Sequence, residues 1–296
     1  MATLLMKYLP HPSHHLFPKL QSLIWQSQEP SDLPFVHLFL PPSLRSLQLC
    51  LRDYPDGFQA PNQFEAPVML LLLEYQCIML TQLYIGGLRW EDDGNLALVL
   101  QALKSPSCQQ LQSLKIGLVD ESILSHLAQL PTLKDLSIEL PDSIPTSISS
   151  NNRFTNLRTL SFVARNVGDV FLFLRSAQLS LKSIKITLFE KTRSTPLPLS
   201  SLQQLFSSIS NGLCHSSLTQ MEINHWTGHR HLDITLDNAI LQPLLLFSNL
   251  KQLRLDGLFS LNRNDSYLTE LVNAWPRIEK LVINHHVGWQ RPSGIN

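Results

Sequence analysis

The chain has 296 residues, of which 44% are hydrophobic and 16% are charged. Its 23 basic and 23 acidic residues cancel to a formal net charge of zero, so charge gives no reason to expect DNA, RNA or an anionic membrane as the main partner. Leucine makes up about a fifth of the chain, which is well above its usual share. This excess suggests a leucine-based repeat.

One pattern, L-x-x-L-x-I/L, recurs along the chain in ten copies. In a strand, alternate side chains point to opposite faces, so the fourth and sixth positions of each copy should point inward and the third, fifth and seventh outward. The backbone N–H and C=O groups of each strand need hydrogen-bond partners, which a neighbouring copy can supply. The copies should therefore stack into a parallel sheet. The predicted strands begin near residues 20, 44, 80, 111, 133, 157, 181, 218, 250 and 278.

Helical segments are predicted between the strands. ESILSHLAQL (121–130) and DSYLTELVNAW (265–275) place apolar residues at three- and four-residue spacings. The candidate helix N-caps are Asp120, Asp169 and Asp265. We expect a single domain over residues 1–296, an α/β solenoid shaped as a curved right-handed horseshoe, with strands on the concave face and helices on the convex face.

A long apolar stretch, APVMLLLLEYQCIMLTQLYIGGL, raises the question of a membrane span. Glu74, Gln76 and Gln82 interrupt it. A charge at the middle of a bilayer costs roughly 2.5–3.5 kcal/mol. The stretch is therefore interpreted as a buried helix followed by a strand, and no membrane partner is expected.

These repeats resemble the leucine-rich-repeat proteins, and more narrowly the cysteine-containing type found in F-box/leucine-rich-repeat proteins, including large fungal families. DESILSHLAQLPTLKDLSI and DSYLTELVNAWPRIEKLVI carry the resemblance most fully, and it spans residues from about 16 to 288. It implies a protein–protein interaction domain, namely the substrate-recognition repeats of an F-box-type ubiquitin ligase receptor. The alternative is a stand-alone scaffold unrelated to ubiquitin.

Two departures from this family pattern matter. The ninth position of each copy does not carry the usual asparagine, and the 19 residues before the first copy are too few for an F-box. We therefore expect a fragment of a longer chain, located in the cytoplasm or nucleus. A cullin adaptor is expected as a partner only if an F-box lies upstream.

The same family type places a cysteine or proline just before each strand. That position is predicted to be small and buried, and buried free cysteine behaves as a small hydrophobe. No C-x-x-C pair occurs, so no disulfide frame is expected. The residues assigned to this position are Cys77, Cys108, Cys214, Pro18, Pro131 and Pro276.

A histidine-rich segment, HWTGHRH at 225–231, could suit zinc. However, INHWTG (223–228) matches INHHVG (283–288) position for position, which favours a structural position over a metal site. The paired His225 and His285 should lie roughly 10 Å apart on a parallel sheet, whereas zinc ligands lie about 2 Å from the metal. No metal or cofactor is expected.

No catalytic motif is present: the chain lacks a G-x-S-x-G elbow, a phosphate-binding glycine loop and H-E-x-x-H. We therefore predict no enzyme and no catalytic residue. The expected partner is another protein, bound on the concave face or on a rim of loops. The candidate contact residues are Tyr84, Lys115, Asp135, Glu139, Lys185, Glu222, Asn224, Arg254, Asp256, Lys280 and Asn284 on the face, with Trp226, Arg230 and His285 on the rim.

The second positions of five copies are basic and lie along one edge of the predicted sheet. We interpret it as a solvated rim, where long charged side chains cover apolar edges. Its members are Arg45, Lys134, Arg158, Lys182 and Lys251.

Overall fold

The computed structural model describes residues 16–27, 36, 38–51, 77–86, 93–141, 154–177, 179–189, 199–226, 235–236, 238–256, 260–261 and 265–283. The helix predicted before residue 77 lies outside these ranges. So do all or most of residues 52–67, 190–200 and 227–238, which are insertions between copies and would form the predicted rim of loops. The chain divides into two compact units, Met1–Gly117 and Leu118–Asn296. Each unit is described by itself below.

Each predicted copy forms one strand that begins two residues after the first position of the copy. Within each unit the main strands follow one another in sequence order, and the paired neighbours are parallel. The predicted α/β leucine-rich-repeat fold is thereby confirmed. The strands are β1 (Ser22–Ser27), β2 (Ser46–Leu51), β3 (Gln82–Gly86), β4 (Ser113–Leu118), β5 (Asp135–Glu139), β6 (Thr159–Ala164), β7 (Ser183–Phe189), β8 (Gln220–Trp226), β10 (Gln252–Asp256) and β12 (Lys280–Ile283).

The connections between strands carry helices, as the spacing of apolar residues predicts. Two short strands, β9 (Thr235–Leu236) and β11 (Ser260–Leu261), form a separate parallel pair. In the described residues the helices are α1 (Asp93–Leu103), α2 (Glu121–Ala128), α3 (Val167–Ala177), α4 (Leu199–Gly212), α5 (Asn238–Leu241) and α6 (Asp265–Ala274), with 3-10 turns at Pro106–Gln110 and Gln242–Leu246.

The inward positions of the strands form the core, and β6 shows how. Leu157, Leu160 and Phe162 are 3%, 0% and 0% exposed. The Phe162 ring meets Phe173 of α3 edge-on at 5.7 Å between centroids, a favoured aromatic geometry. The strand and helix layers are thus joined by the residues that the repeat pattern marks as apolar.

The last strand departs from this pattern. Leu281 and Ile283 were predicted to face the core, but Leu281 is 47% exposed and Ile283 is half-buried. The reason is that β12 pairs with β10 on one side only within the described residues. Trp275, which closes α6 as expected, is buried and donates its indole N–H to the Leu244 carbonyl at 3.1 Å.

Within each of the two units, a repeated backbone contact joins one copy to the next. The second-position carbonyl of one copy accepts two N–H groups, from the second and third positions of the following copy. Arg158 O, for example, accepts Lys182 N at 2.8 Å and Ser183 N at 3.1 Å. The same paired bonds occur at the carbonyls of Gln21, Arg45, Thr81, Lys134, Lys182, Thr219 and Lys251.

A side-chain ladder reinforces this edge of the sheet. In three copies, the residue just before the copy donates to the carbonyl two residues before the preceding copy. These bonds are Ser43 Oγ to Pro18 O at 2.9 Å, Asn156 Nδ2 to Pro131 O at 2.7 Å, and Asn249 Nδ2 to Ser216 O at 2.9 Å. These bonds satisfy carbonyls that the sheet leaves unpaired. Polar ladder residues therefore precede the strands here, whereas the ninth position after them lacks asparagine.

The turn that leads into most of the strands closes through a backbone hydrogen bond from the first residue of the copy to the residue three before it. Leu80 N donates to Cys77 O at 3.2 Å, and Leu111 N donates to Cys108 O at 3.1 Å. Cys77 and Cys108 are 0% and 2% exposed, as predicted. The buried position in the turn is thus defined by this hydrogen bond.

Cys214, however, is exposed, so its assignment to the buried position was wrong. It lies four residues before its copy rather than three, and its carbonyl accepts from Ser217 N instead. Leu213, which forms a parallel bridge with Leu179, is buried beside it. The prolines were also misassigned: Pro131 follows the buried Leu130, and Pro131 itself is exposed.

One of the three predicted helix caps is confirmed, because Asp120 accepts Ile123 N at 2.7 Å at the start of α2. Asp265 is the first helical residue of α6, and its capping role stays a prediction. Asp169 is not a cap, because α3 begins earlier and Asn166 accepts Asp169 N at 2.9 Å. Within the described residues, no helix combines the length and apolarity that a membrane crossing requires.

The turn geometry predicts how the cysteines react with a thiol reagent. Burial, reinforced by the neighbouring Cys108, raises the pKa of the Cys77 thiol to about 12, whereas hydrogen bonds with Ser216 and Ser217 lower the pKa of the exposed Cys214 thiol. In the native protein at pH 7, Cys214 should therefore react first, since the thiolate is the nucleophile.

The measurement is the labelling rate with a chromogenic disulfide reagent. Cys214→Ser should remove the fastest phase, while Cys77→Ser and Cys108→Ser should leave it unchanged. Equal native-state rates for Cys77 and Cys214 would contradict the corrected assignment.

Candidate functional site

The outward face of the strands in the second unit carries a charged cluster at its centre, here called the Glu222 cluster. Its members occupy fifth and seventh positions of β7, β8 and β10, which lie side by side in register. The cluster consists of Lys185, Glu222, Asn224, Arg254 and Asp256.

Glu222 holds this cluster together. Its Oε1 accepts from Lys185 Nζ at 3.0 Å and from Asn224 Nδ2 at 2.8 Å, and Arg254 Nε lies 4.0 Å away. Arg254 also donates its second terminal nitrogen to Asp256 Oδ2 at 3.0 Å. Two cations and two carboxylates thus balance one another.

The electrostatics of Glu222 follow from this arrangement. Burial opposes ionisation of its carboxyl group, but hydrogen bonds from Asn224 and Lys185 and the charges of Lys185 and Arg254 outweigh burial and lower its pKa. The carboxylate is therefore ionised at neutral pH.

Asp256 differs from the expected exposed contact residue. Its side chain is 4% exposed, so a partner at the surface would meet the guanidinium of Arg254 rather than the carboxylate. Because Asp256 fixes Arg254 from below, its role is to orient that guanidinium. The spacing of the repeat does not reveal this role, since it marks the position as outward.

A second ion pair lies between β5 and the end of β6, on the same outward face of the second unit. Arg165 contacts Glu139 Oε1 at 3.1 Å, with side-chain exposures of 23% and 33%. Sequence reasoning selected Glu139 but missed Arg165, which lies just after β6. The register of β5 with β6, in which Glu139 is level with Val163, places Arg165 two residues further along the adjacent strand.

In the first unit, Tyr84 and Lys115 are level on β3 and β4. The Lys115 ammonium lies 4.3 Å from the Tyr84 ring centroid, a cation–π contact. A Cβ on Gly86 would lie only 2.6 Å from the Tyr84 hydroxyl, so glycine makes room for the ring. The structure brings these two predicted residues together.

The remaining predicted contact residues are more scattered. Asp135 and Lys280 are exposed. Trp226 ends β8, but its side chain lies outside the described part of the chain, as do Arg230, Asn284 and His285 in full. His225 is buried within β8, so it is not a surface ligand.

The side chains on these faces can recognise a partner through charge and hydrogen bonding. Across the described ranges, no group of three or more His, Cys, Asp or Glu side chains is arranged to hold a metal ion.

Comparison with known proteins gives structural neighbours only. No protein-family model matches the chain, and no curated protein matches it. The solved leucine-rich-repeat protein LegL7 from Legionella pneumophila is similar at 16% identity, over 92% of this chain and 94% of that one, with a TM-score of 0.43. An internalin, inlF, from Listeria monocytogenes is similar at 16% identity, over 96% and 86%, with a TM-score of 0.38.

Because of the Glu222 cluster, the free energy of unfolding should depend on the Glu222 side chain and on pH. Glu222→Gln should lower the free energy of unfolding at pH 7 by about 1–2 kcal/mol, because it removes a charge that faces two cations. The pKa of Glu222 is lowered in the folded state, so its contribution to stability is fully present above the unfolded-state pKa of 4.5 and is lost as pH falls through the folded-state pKa.

Urea unfolding at pH 7 and at pH 3 provides the measurement. The matched control is Glu279→Gln, since Glu279 pairs with Lys251 at 2.8 Å but is 61% exposed, and its effect should be less than about 0.5 kcal/mol. Equal effects of the two variants at pH 7 would contradict the central position of Glu222.

Proposed function

We propose that the chain is a protein-interaction scaffold and that the outward face of the second unit's strands binds the partner. The observation that carries this proposal is the Glu222 cluster: a cation, a carboxylate and a guanidinium, supplied by three adjacent strands and fixed by each other's hydrogen bonds. Side chains held on a rigid sheet lose little freedom on binding. Such a surface suits a specific protein partner.

The charge pattern favours protein over nucleic acid. The four charges of the cluster cancel, whereas nucleic-acid surfaces carry an excess of positive charge. Next to the cluster, the fifth positions of β5 and β6 are Ser137 and Ser161, level with Lys185. These small side chains leave space beside the charges for a partner's side chains.

The test is a bulky substitution on this face. Ser161→Arg should weaken capture of partner proteins by the purified chain at least tenfold, because it fills the space beside Lys185. The matched control is Ser122→Arg, an exposed position on α2, which should leave capture unchanged.

Quantitative mass spectrometry of proteins retained by each variant provides the measurement. Partners retained equally by Ser161→Arg would contradict binding at this face. Partners lost equally from both variants would point to a binding surface other than the strand face.

The narrower proposal is that the bound partner is a substrate of an F-box-type ubiquitin ligase. It is supported by the resemblance carried by DESILSHLAQLPTLKDLSI and DSYLTELVNAWPRIEKLVI. The test is whether the gene encodes an F-box upstream of these repeats and whether the full-length product binds the cullin adaptor. Failure to bind would leave the stand-alone scaffold as the function.

A further inference from the structure

The edge of the second unit where β5, β6 and β7 begin carries three neighbouring cations, Lys134, Arg158 and Lys182, here called the basic row. Each is the second position of its copy and lies one residue before its strand. Since the strands pair with Asp135, Thr159 and Ser183 level, the three residues are also level. Adjacent members are thus separated by the strand spacing of about 4.8 Å.

The backbone of the basic row is fixed. Lys134 O accepts Arg158 N at 2.7 Å and Thr159 N at 2.9 Å, and Arg158 O accepts Lys182 N at 2.8 Å. The three side chains therefore project from rigid points, with Arg158 and Lys182 exposed. Such spacing of like charges is unfavourable unless solvent or a partner screens it.

Among the described residues, the charges of Arg158 and Lys182 are not balanced by carboxylates, unlike those of Lys251 and the Glu222 cluster. Lys251, two strands further along the same edge, pairs with Glu279 at 2.8 Å, and the cations of the Glu222 cluster face carboxylates. Arg158 and Lys182 make no ion pair in the part of the chain that the structure describes. Asp135 is the acidic residue adjacent in sequence, and it lies on the outward strand face.

We infer that the basic row binds an acidic, extended peptide segment of a partner protein, which crosses the starts of β5, β6 and β7. Carboxylates on alternate residues of an extended chain recur about every 6.6–7 Å. The long Arg and Lys side chains span the difference from the strand spacing. Three cations are too few to hold a nucleic-acid backbone, whose specific contacts number about 6–10 phosphates.

This inference does not depend on the outward strand face binding anything. Its test uses the whole chain and a fluorescein-labelled octaglutamate peptide, with octaglutamine and an eight-nucleotide thymidine strand as comparison probes. Fluorescence anisotropy is measured at 50 mM and 200 mM salt. Octaglutamate should bind more tightly than either comparison probe, and its binding should weaken as salt screens the charges.

The variants separate this site from the rest of the surface. Arg158→Gln with Lys182→Gln should weaken octaglutamate binding about tenfold, whereas Arg158→Lys with Lys182→Arg, which keeps both charges, should retain it. Lys251→Gln, which removes a cation already paired with Glu279, should leave binding within about twofold.

Three results would overturn the inference. They are binding that survives the double glutamine variant, an equal loss in Lys251→Gln, or tighter binding of the thymidine strand than of octaglutamate. The charge-retaining variant guards against a folding defect, since it changes the same two positions. Loss of binding in that variant as well, with an unchanged melting temperature, would also count against charge recognition.

Discussion

The structure of each unit depends on one repeated backbone contact, in which the second-position carbonyl of one copy accepts two N–H groups from the next copy of the same unit. A strand taken alone has unpaired donors and acceptors, and leaving these groups buried and unpaired is costly. The contact fixes the register at the start of every strand. All later positions then alternate between core and surface without further adjustment.

The register between neighbouring strands determines which side chains lie together on the surface. Once β7, β8 and β10 are level, Lys185, Glu222 and Arg254 are side by side although they are far apart in sequence. The same register places Lys134, Arg158 and Lys182 together where β5, β6 and β7 begin. The cations of the Glu222 cluster pair with carboxylates, whereas Arg158 and Lys182 make no ion pair with any residue that the structure describes. The two surfaces therefore differ in the charge they present to a partner.

Much of the fold was predictable because the repeat has a period that the physics of a strand explains. All ten strand starts, the buried first, fourth and sixth positions of β6, and the cap at Asp120 follow from local patterns. The start of α3 was mispredicted because two polar residues three positions apart, Asn166 and Asp169, are both suitable caps, and Asn166 takes that role. Leu281 was mispredicted because burial depends on a neighbouring strand, which a local pattern does not contain.

The surfaces were less predictable, since they depend on which side chains meet. The pairing of Glu139 with Arg165 and the burial of Asp256 depend on geometry between copies. The error at Cys214 has the same origin: one extra residue between cysteine and strand moves the thiol from the core to the surface. The spacing within a copy can be read from the sequence, whereas contacts between copies can be predicted only when the register of neighbouring strands is known.

Hydrogen exchange of the amides at the second and third positions tests this account most directly. In the native protein, the N–H groups of Arg158, Thr159, Lys182 and Ser183 should be as strongly protected as that of the core residue Phe162, because all open only when the sheet unfolds. Exchange of these amides at the rate of an unprotected peptide, with Phe162 still protected, would contradict the shared-carbonyl contact as the basis of the fold.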